Sequence, residues 1–354
     1  MNLKNKIFNN QKYLSVDKFF DFILYNKKYG YYFKKIPLGK NGDFITSPLI
    51  SNLFSEMIAI WIIDFWQKIG SPNNFNIVEL GPGDGTLIEI LNQSFKNFPK
   101  FRESVNIHLY EKSLTLKKIQ RKNISNNKVK WISKLSDIKK GPVIFIGNEF
   151  LDAIPIKQFI RKKNNILEKN LYLDKNNKIK DFYKIANAKD KGIINSFYSL
   201  KKNKFIEFPK KGFFLLDKIV KKIFKENGGI LLIDYGYLGI NNYSTLQSVK
   251  KHKKNKLFEN LGNADITSLV NFRLLKEYFT KKNLKVRNIV SQSFFLKRIG
   301  IIERANILSK KMNFKSKADL YYRLSRIIDP KKMGELFKVI FAYKSKNNNF
   351  IGFD

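Results

Sequence analysis

The chain has 354 residues, 43% of them hydrophobic and 14% aromatic, including 32 Phe and 16 Tyr. That is enough for a core domain with added layers or for two domains, and it excludes the composition of a disordered chain. Sixty-eight Lys and Arg against 29 Asp and Glu give a formal charge of +39, with nine Arg among the 68, which reads either as polyanion binding or as the Lys-rich surface that AT-rich codon usage produces. The lack of cysteine excludes disulfides, Cys-ligated zinc, iron–sulfur clusters and thiol nucleophiles, and having only His108 and His252 argues against a His-based metal centre.

The N-terminal residues carry Lys but no continuous apolar run. The longest apolar stretch, MIAIWIIDFW at 57–66, is broken by Asp64 and is too short to span a bilayer. SVDKFFDFILYN places apolar residues at helical spacing behind a Ser15 cap, and the segment from Leu49 to Ile69 repeats that pattern. Between them GYYFKKIPLGKNGDFITSP, at 30–48, is dense in turn formers and reads as a long loop. From Phe75 the order is apolar run, glycine-rich turn, helical stretch and second apolar run, the pattern of a parallel sheet with crossover helices. VKWIS near 128, PVIFIGNEF near 142 and GGILLIDYG near 228 continue it as strands buried on both faces. Short strand-like pieces from about 155 to 210 read as an inserted antiparallel lobe. A helix is expected near 267–281, a strand near 285–297, two helices in the tail, and a late strand at LFKVIFAYKS. The segments are 1–74, an N-terminal helical layer and active-site loop; 75–155 and 213–300, the two halves of the core; 156–212, the lobe; and 301–354, the C-terminal helices and last strand.

VELGPGDGT at 78–86 falls at the first strand-to-helix turn. Gly81, Gly83 and Gly85 let the main chain approach a ligand closely. The spacing is neither GxGxxG nor a Walker loop, because no GK[ST] follows. With Glu79 two residues ahead it has the form expected for S-adenosylmethionine (SAM), whose amine, carboxylate and ribose need main-chain amides and an acid; an ordinary tight turn is the competing reading. Glu111, at the end of the next strand, is placed to accept both hydrogen bonds of a ribose diol, the alternative being a solvated strand end.

These motifs, with GYY at 30–32, GDFITSP at 42–48, NEFLDAIP at 148–155, LLIDYG at 231–236, the stretch from Gln247 through His252 to Asp265 and Thr267, and MGELFKV at 333–339, make the chain resemble the MidA family of class I SAM-dependent methyltransferases nearly end to end. The family includes a mitochondrial assembly factor that methylates an arginine of a complex I subunit. GNADITSLVNF at 262–272 departs from the pattern, with Ile266 and Asn271 where the family has Leu and Asp. The resemblance implies a Rossmann-like α/β fold with a sheet of seven strands whose last is antiparallel, SAM at the carboxyl ends of the first strands, and a protein arginine as acceptor.

A guanidinium is a poor nucleophile that carboxylates can bind and polarise. Glu149 and Asp152 follow an apolar strand at the sheet edge where ligands bind, and form the expected arginine-binding pair; capping of the next turn is the alternative. Asn148, from the same motif, is assigned to the cofactor. Asp43 and Thr46, with Ser47 beside them, lie in the N-terminal loop and contact cofactor or substrate as a lid, or cap the segment beginning near Pro48. Asp234 is a further substrate acid, and His252 is a catalytic candidate because its polar loop matches the family pattern; His108 lies inside a strand and reads as core. An RNA methyltransferase suits the charge, but the chain lacks an [ND]PPY-type motif and a catalytic Cys. A non-catalytic assembly chaperone would be marked by an eroded glycine turn, which is intact here. The family-like region begins within the first thirty residues, so a bacterial cytoplasmic location is expected.

Overall fold

The computed structural model describes residues 3–34, 39, 42–125, 128–163 and 165–354. They divide into two compact units, one of Met1–Phe44, Leu151–Asp217 and Leu238–Tyr278, the other of Ile45–Phe150, Lys218–Tyr237 and Phe279–Asp354. The N-terminal 74 residues are thus shared between the units.

The second unit is built on helix α1 (Asn52–Lys68), strand β1 (Phe75–Leu80), helix α2 (Thr86–Phe95), strand β2 (Val105–Tyr110), helix α3 (Leu114–Asn123), and strands β3 (Lys130–Ile132), β4 (Val143–Asn148), β5 (Gly228–Tyr237), β6 (Lys285–Val286) and β7 (Phe337–Lys344). The sheet runs β3-β2-β1-β4-β5-β7-β6. Strands β3, β2, β1, β4 and β5 are parallel, and β7 lies antiparallel to both β5 and β6. The strand order reverses between β1 and β4, which opens a crevice at their carboxyl ends, the usual ligand position in such sheets. Every residue of β1 is buried, Asn76 and Glu79 along with the apolar ones, as a strand covered on both faces requires. Helix α1 is apolar almost all round and buries Trp61 and Phe65, whose rings lie 4.9 and 5.6 Å from that of Phe341 on β7. Gly228 opens β5 at φ +123°, and a Cβ there would lie 1.8 Å from the Val143 carbonyl oxygen, so only glycine lets β5 pair with β4 along its whole length.

In the first unit, strands at Asn165–Leu173, Lys157–Lys162, Phe205–Phe208 and Ile179–Ile185 pair as an antiparallel sheet. A second small sheet joins Gln247–Lys250 to Lys253–Asn255 and Asp265–Thr267. The first of these sheets is pinned by an ion network in which Lys157 Nζ reaches Glu168 (2.7 Å) and Asp190 (2.8 Å), and Lys210 reaches Asp190 (2.6 Å). The helix Val16–Tyr25 follows Ser15, but the Ser15 hydroxyl donates to Asp17 rather than accepting from a helix amide.

The strand expected at 285–297 is reduced to β6 and the pair Val290–Ser291, followed by the helix Gln292–Arg298. Ser291 explains the switch: its hydroxyl accepts the Phe294 N–H at 3.3 Å, and the helix it starts buries Phe295 and Leu296. The loop expected at 30–48 contains two helical turns, Tyr31–Lys34 and Ser47–Ile50. Positions 35–38, 40 and 41 of that loop lie outside the described residues.

Candidate active site

In the second unit, Gly81, Gly83 and Gly85 follow β1 at φ +65°, +57° and +89°. L side chains rarely adopt such dihedrals, so this turn needs glycine at alternate positions. A Cβ on Gly81 would approach Phe150 Cδ2 at 2.9 Å, and one on Gly85 would approach Ile124 Cδ1 at 2.9 Å. The turn is held by Gly81 N–H donating to the Tyr110 carbonyl (3.1 Å) and Thr86 N–H donating to Asp84 Oδ1 (3.0 Å), and α2 begins beyond it.

Glu79, only 4% exposed, is the penultimate residue of β1, just before this turn, and its Oε2 is buried with no hydrogen-bond partner. Burial first, then the charges of Asp84 and Glu111, push its carboxyl up to about 8. An acid kept in such a place without a donor is the mark of a site built for a ligand donor. Glu111 follows β2, where Ser113 N–H donates to its Oε1 (2.7 Å) and Gln120 Nε2 approaches its Oε2 (3.4 Å). Burial raises its carboxyl despite these bonds. The residues therefore fit a ligand carrying an amine and a diol: an orphaned acid, a side-chain-free turn, and a second acid one strand away.

At the end of β4, Glu149 holds a left-handed backbone (φ +50°), a strain of order 1 kcal/mol for a non-glycine residue. Its N–H donates to the Ile233 carbonyl (2.9 Å), and its Oε1 accepts from Ser47 N–H (3.1 Å) and Asn148 Nδ2 (3.3 Å). The Asn148 Oδ1 is buried without a partner. Asp234 is buried, and its two oxygens accept from Phe150 N–H (3.1 Å) and Tyr235 N–H (2.9 Å), tying β5 to the turn after β4. Thr46 is the N-cap residue of the turn Ser47–Ile50, without a side-chain cap bond.

The first unit holds the other sequence candidates. Asp43 is buried, with Tyr31 Oη donating to its Oδ2 (2.6 Å) and Lys251 N–H to its Oδ1 (2.7 Å). His252 N–H donates to the Asp43 carbonyl (3.1 Å), and Lys251 and His252 are both left-handed, so Asp43 fixes the turn that presents the exposed His252. Asp152, 6% exposed, is an electrostatic neighbour of Asp265, 4% exposed, whose Oδ1 accepts from Ile266 N–H (2.9 Å) and Tyr32 Oη (3.4 Å). Burial first, then Asp152 and Asp43, hold the Asp265 carboxyl well above the usual range, and burial with the same acids raises the phenols of Tyr31 and Tyr32. The sequence reading brought Asp43 and Asp152 forward but gave Asp265, Tyr31 and Tyr32 no role, although all three lie in quoted motifs. Among the described residues no group of three or more acids or histidines is arranged for a metal ion, and no helix is long and apolar enough to cross a membrane.

Residues 57–290 match the sequence profile of a family described as "Putative S-adenosyl-L-methionine-dependent methyltransferase". The zebrafish (Danio rerio) mitochondrial protein arginine methyltransferase NDUFAF7 is 28% identical over 348 residues, covering 92% of this chain and 82% of its own length. The human (Homo sapiens) protein of the same name is 28% identical over 350 residues, covering 92% and 78%. The crystal structure of a superfamily member from Burkholderia thailandensis bound to S-adenosyl-homocysteine has the same fold, with a TM-score of 0.83 at 19% identity, covering 98% of this chain and 92% of that one. The chain belongs to this family of SAM-dependent methyltransferases, and SAM is its cofactor.

Proposed function

We propose that the protein methylates an arginine side chain of a protein partner, with SAM held at the turn after β1. The observation that carries the cofactor half is the orphaned Oε2 of Glu79 just before three left-handed glycines. Glu79 accepts the ligand's ammonium, the main chain of the turn carrying Gly81, Gly83 and Gly85 lies against it without side-chain obstruction, Asn148 Oδ1 takes a further donor, and Glu111 receives the ribose diol. SAM supplies a methyl group on a sulfonium, an electrophile that requires alignment rather than activation.

The acceptor half is supported by the relatives' names, which describe protein arginine methyltransferases at 26–28% identity. Asp152 and Asp265 are the acids that suit a guanidinium. A guanidinium beside them would favour their ionised forms, offsetting the burial and the mutual repulsion that hold the Asp265 carboxyl up. A subunit of respiratory complex I, implied by the family resemblance, is the acceptor to test first.

The experiment is transfer of labelled methyl from SAM to purified candidate subunits, followed by mass spectrometry of the modified residue. Label on arginine supports the reading. Label confined to lysine, to a carboxylate or to RNA overturns the acceptor assignment and leaves the cofactor assignment standing.

A further inference from the structure

Gln120 was invisible in the sequence, a polar residue within LTLKKIQRKN on α3. It is fully buried. Its Nε2 donates to the Gly83 carbonyl at 2.8 Å and reaches Glu111 Oε2 at 3.4 Å, while its Oε1 accepts the Trp131 indole N–H at 2.8 Å. The indole is a donor only, so it fixes which end of the amide is oxygen, and Nε2 must then face Gly83 and Glu111. The Arg121 guanidinium lies 5.3 Å from the Trp131 ring centroid. Three residues on, Asn123 Nδ2 donates to the Asp84 carbonyl at 3.0 Å, and Ile124 packs where a Gly85 side chain would be.

We propose that Gln120 is a positioning residue for the cofactor, registering the glycine turn against Glu111, with Trp131 setting the polarity of its amide. The inference rests on the reading of the glycine turn as the SAM site. Pinning the Gly83 carbonyl toward α3 turns the Asp84 N–H to the opposite edge of the same trans peptide, away from α3. One donor of Gln120 thereby aims a main-chain donor, and the other steadies the acid that takes the ribose. A buried amide with all its bonds made in the free protein pre-organises the site, so its loss appears in ligand affinity.

The test measures SAM and S-adenosyl-homocysteine affinity by calorimetry, and thermal stability, for wild type, Gln120→Met, Gln120→Glu, Trp131→Phe and Gly83→Val. Gln120→Met keeps the length and packing of the side chain, and the expected loss of affinity for both ligands is ten- to a hundredfold. Trp131→Phe keeps the ring and frees the amide to flip, with an expected loss of about three- to tenfold; combined with Gln120→Met it adds little, because both remove one relay. Gln120→Glu provides a readout that packing alone would not move. Protonated, it can still donate to Gly83; ionised, it cannot and it repels Glu111. Its affinity relative to wild type must therefore recover as the pH is lowered from 8 to 6.

Wild-type affinity in Gln120→Met with binding abolished in Gly83→Val overturns the role of Gln120 alone. A pH-independent deficit in Gln120→Glu likewise reduces Gln120 to packing. Normal binding in Gly83→Val overturns the reading of the turn itself. Should Gln120→Met fail to fold, Trp131→Phe and the pH profile of Gln120→Glu decide the matter.

Discussion

Replacing Glu79 by Gln keeps the shape of the side chain near the end of β1 and removes its titration. In the folded protein burial, Asp84 and Glu111 hold the Glu79 carboxyl at about 8, against an ordinary 4.5. That difference corresponds to roughly 4–5 kcal/mol between the protonated and ionised forms. The folded state binds the proton more tightly, so the associated stability is fully present below pH 4.5 and is lost as the pH rises through 8. Wild-type stability in urea should therefore fall across pH 5–8, and the Gln variant should lack most of that slope. A ligand ammonium at Oε2 reverses the preference by favouring the carboxylate, so binding below pH 8 expels a proton. SAM affinity of the wild type should rise with pH by as much as about tenfold per unit between 6 and 8 relative to Glu79→Gln. The ligand's own ionisation is common to both proteins and cancels in this comparison. Calorimetry in two buffers of different ionisation enthalpy measures the expelled proton directly. Parallel affinity profiles for the two proteins, with no proton release in either, would refute the placement of the ammonium at Glu79.

Three further outcomes are expected. Gly228→Ala should cost at least about 3 kcal/mol in urea denaturation, because its Cβ has no room against the Val143 carbonyl and the φ of +123° disfavours any side chain; a loss under 1 kcal/mol contradicts the β4–β5 register. An arginine-containing acceptor peptide should release protons on binding, with the release lost in Asp265→Asn, since burial first, then Asp152, holds that carboxyl well above the usual range; equal release in both proteins removes Asp265 from the acceptor site. If the +39 charge is a property of composition, binding to duplex or single-stranded nucleic acid should be weak at 50 mM salt and fall steeply by 200 mM; retention at 200 mM salt would restore RNA as the acceptor class.

The core was legible because its signals are local. Short, mostly apolar runs marked β1, β2 and β4, and alternate glycines after β1 need no partner to be recognised. What stayed hidden depends on distant chain segments. Gln120 acquires meaning only when α3 brings it under Gly83 and beside Trp131, eleven residues later on β3. Asp265 sits in a quoted motif, yet its significance comes from burial beside Asp152 and Asp43, which are over a hundred positions away in the chain. The 285–297 segment was misread because VRNIVSQSFFLKR is as apolar as a strand, and only the Ser291 hydroxyl, accepting from Phe294, turns it into a helix. Glu149 was read with Asp152 as the arginine-binding pair, and only the folded chain brings the Ser47 amide to its Oε1, at 3.1 Å.

The most direct test incubates the purified protein with radiolabelled SAM and a lysate from cells lacking it, beside the Gly83→Val variant. Label is expected in a protein band, located on arginine by mass spectrometry, and none with Gly83→Val, whose side chain the left-handed turn (φ +57°) does not accommodate. Label in RNA, or undiminished transfer by Gly83→Val, would contradict this expectation.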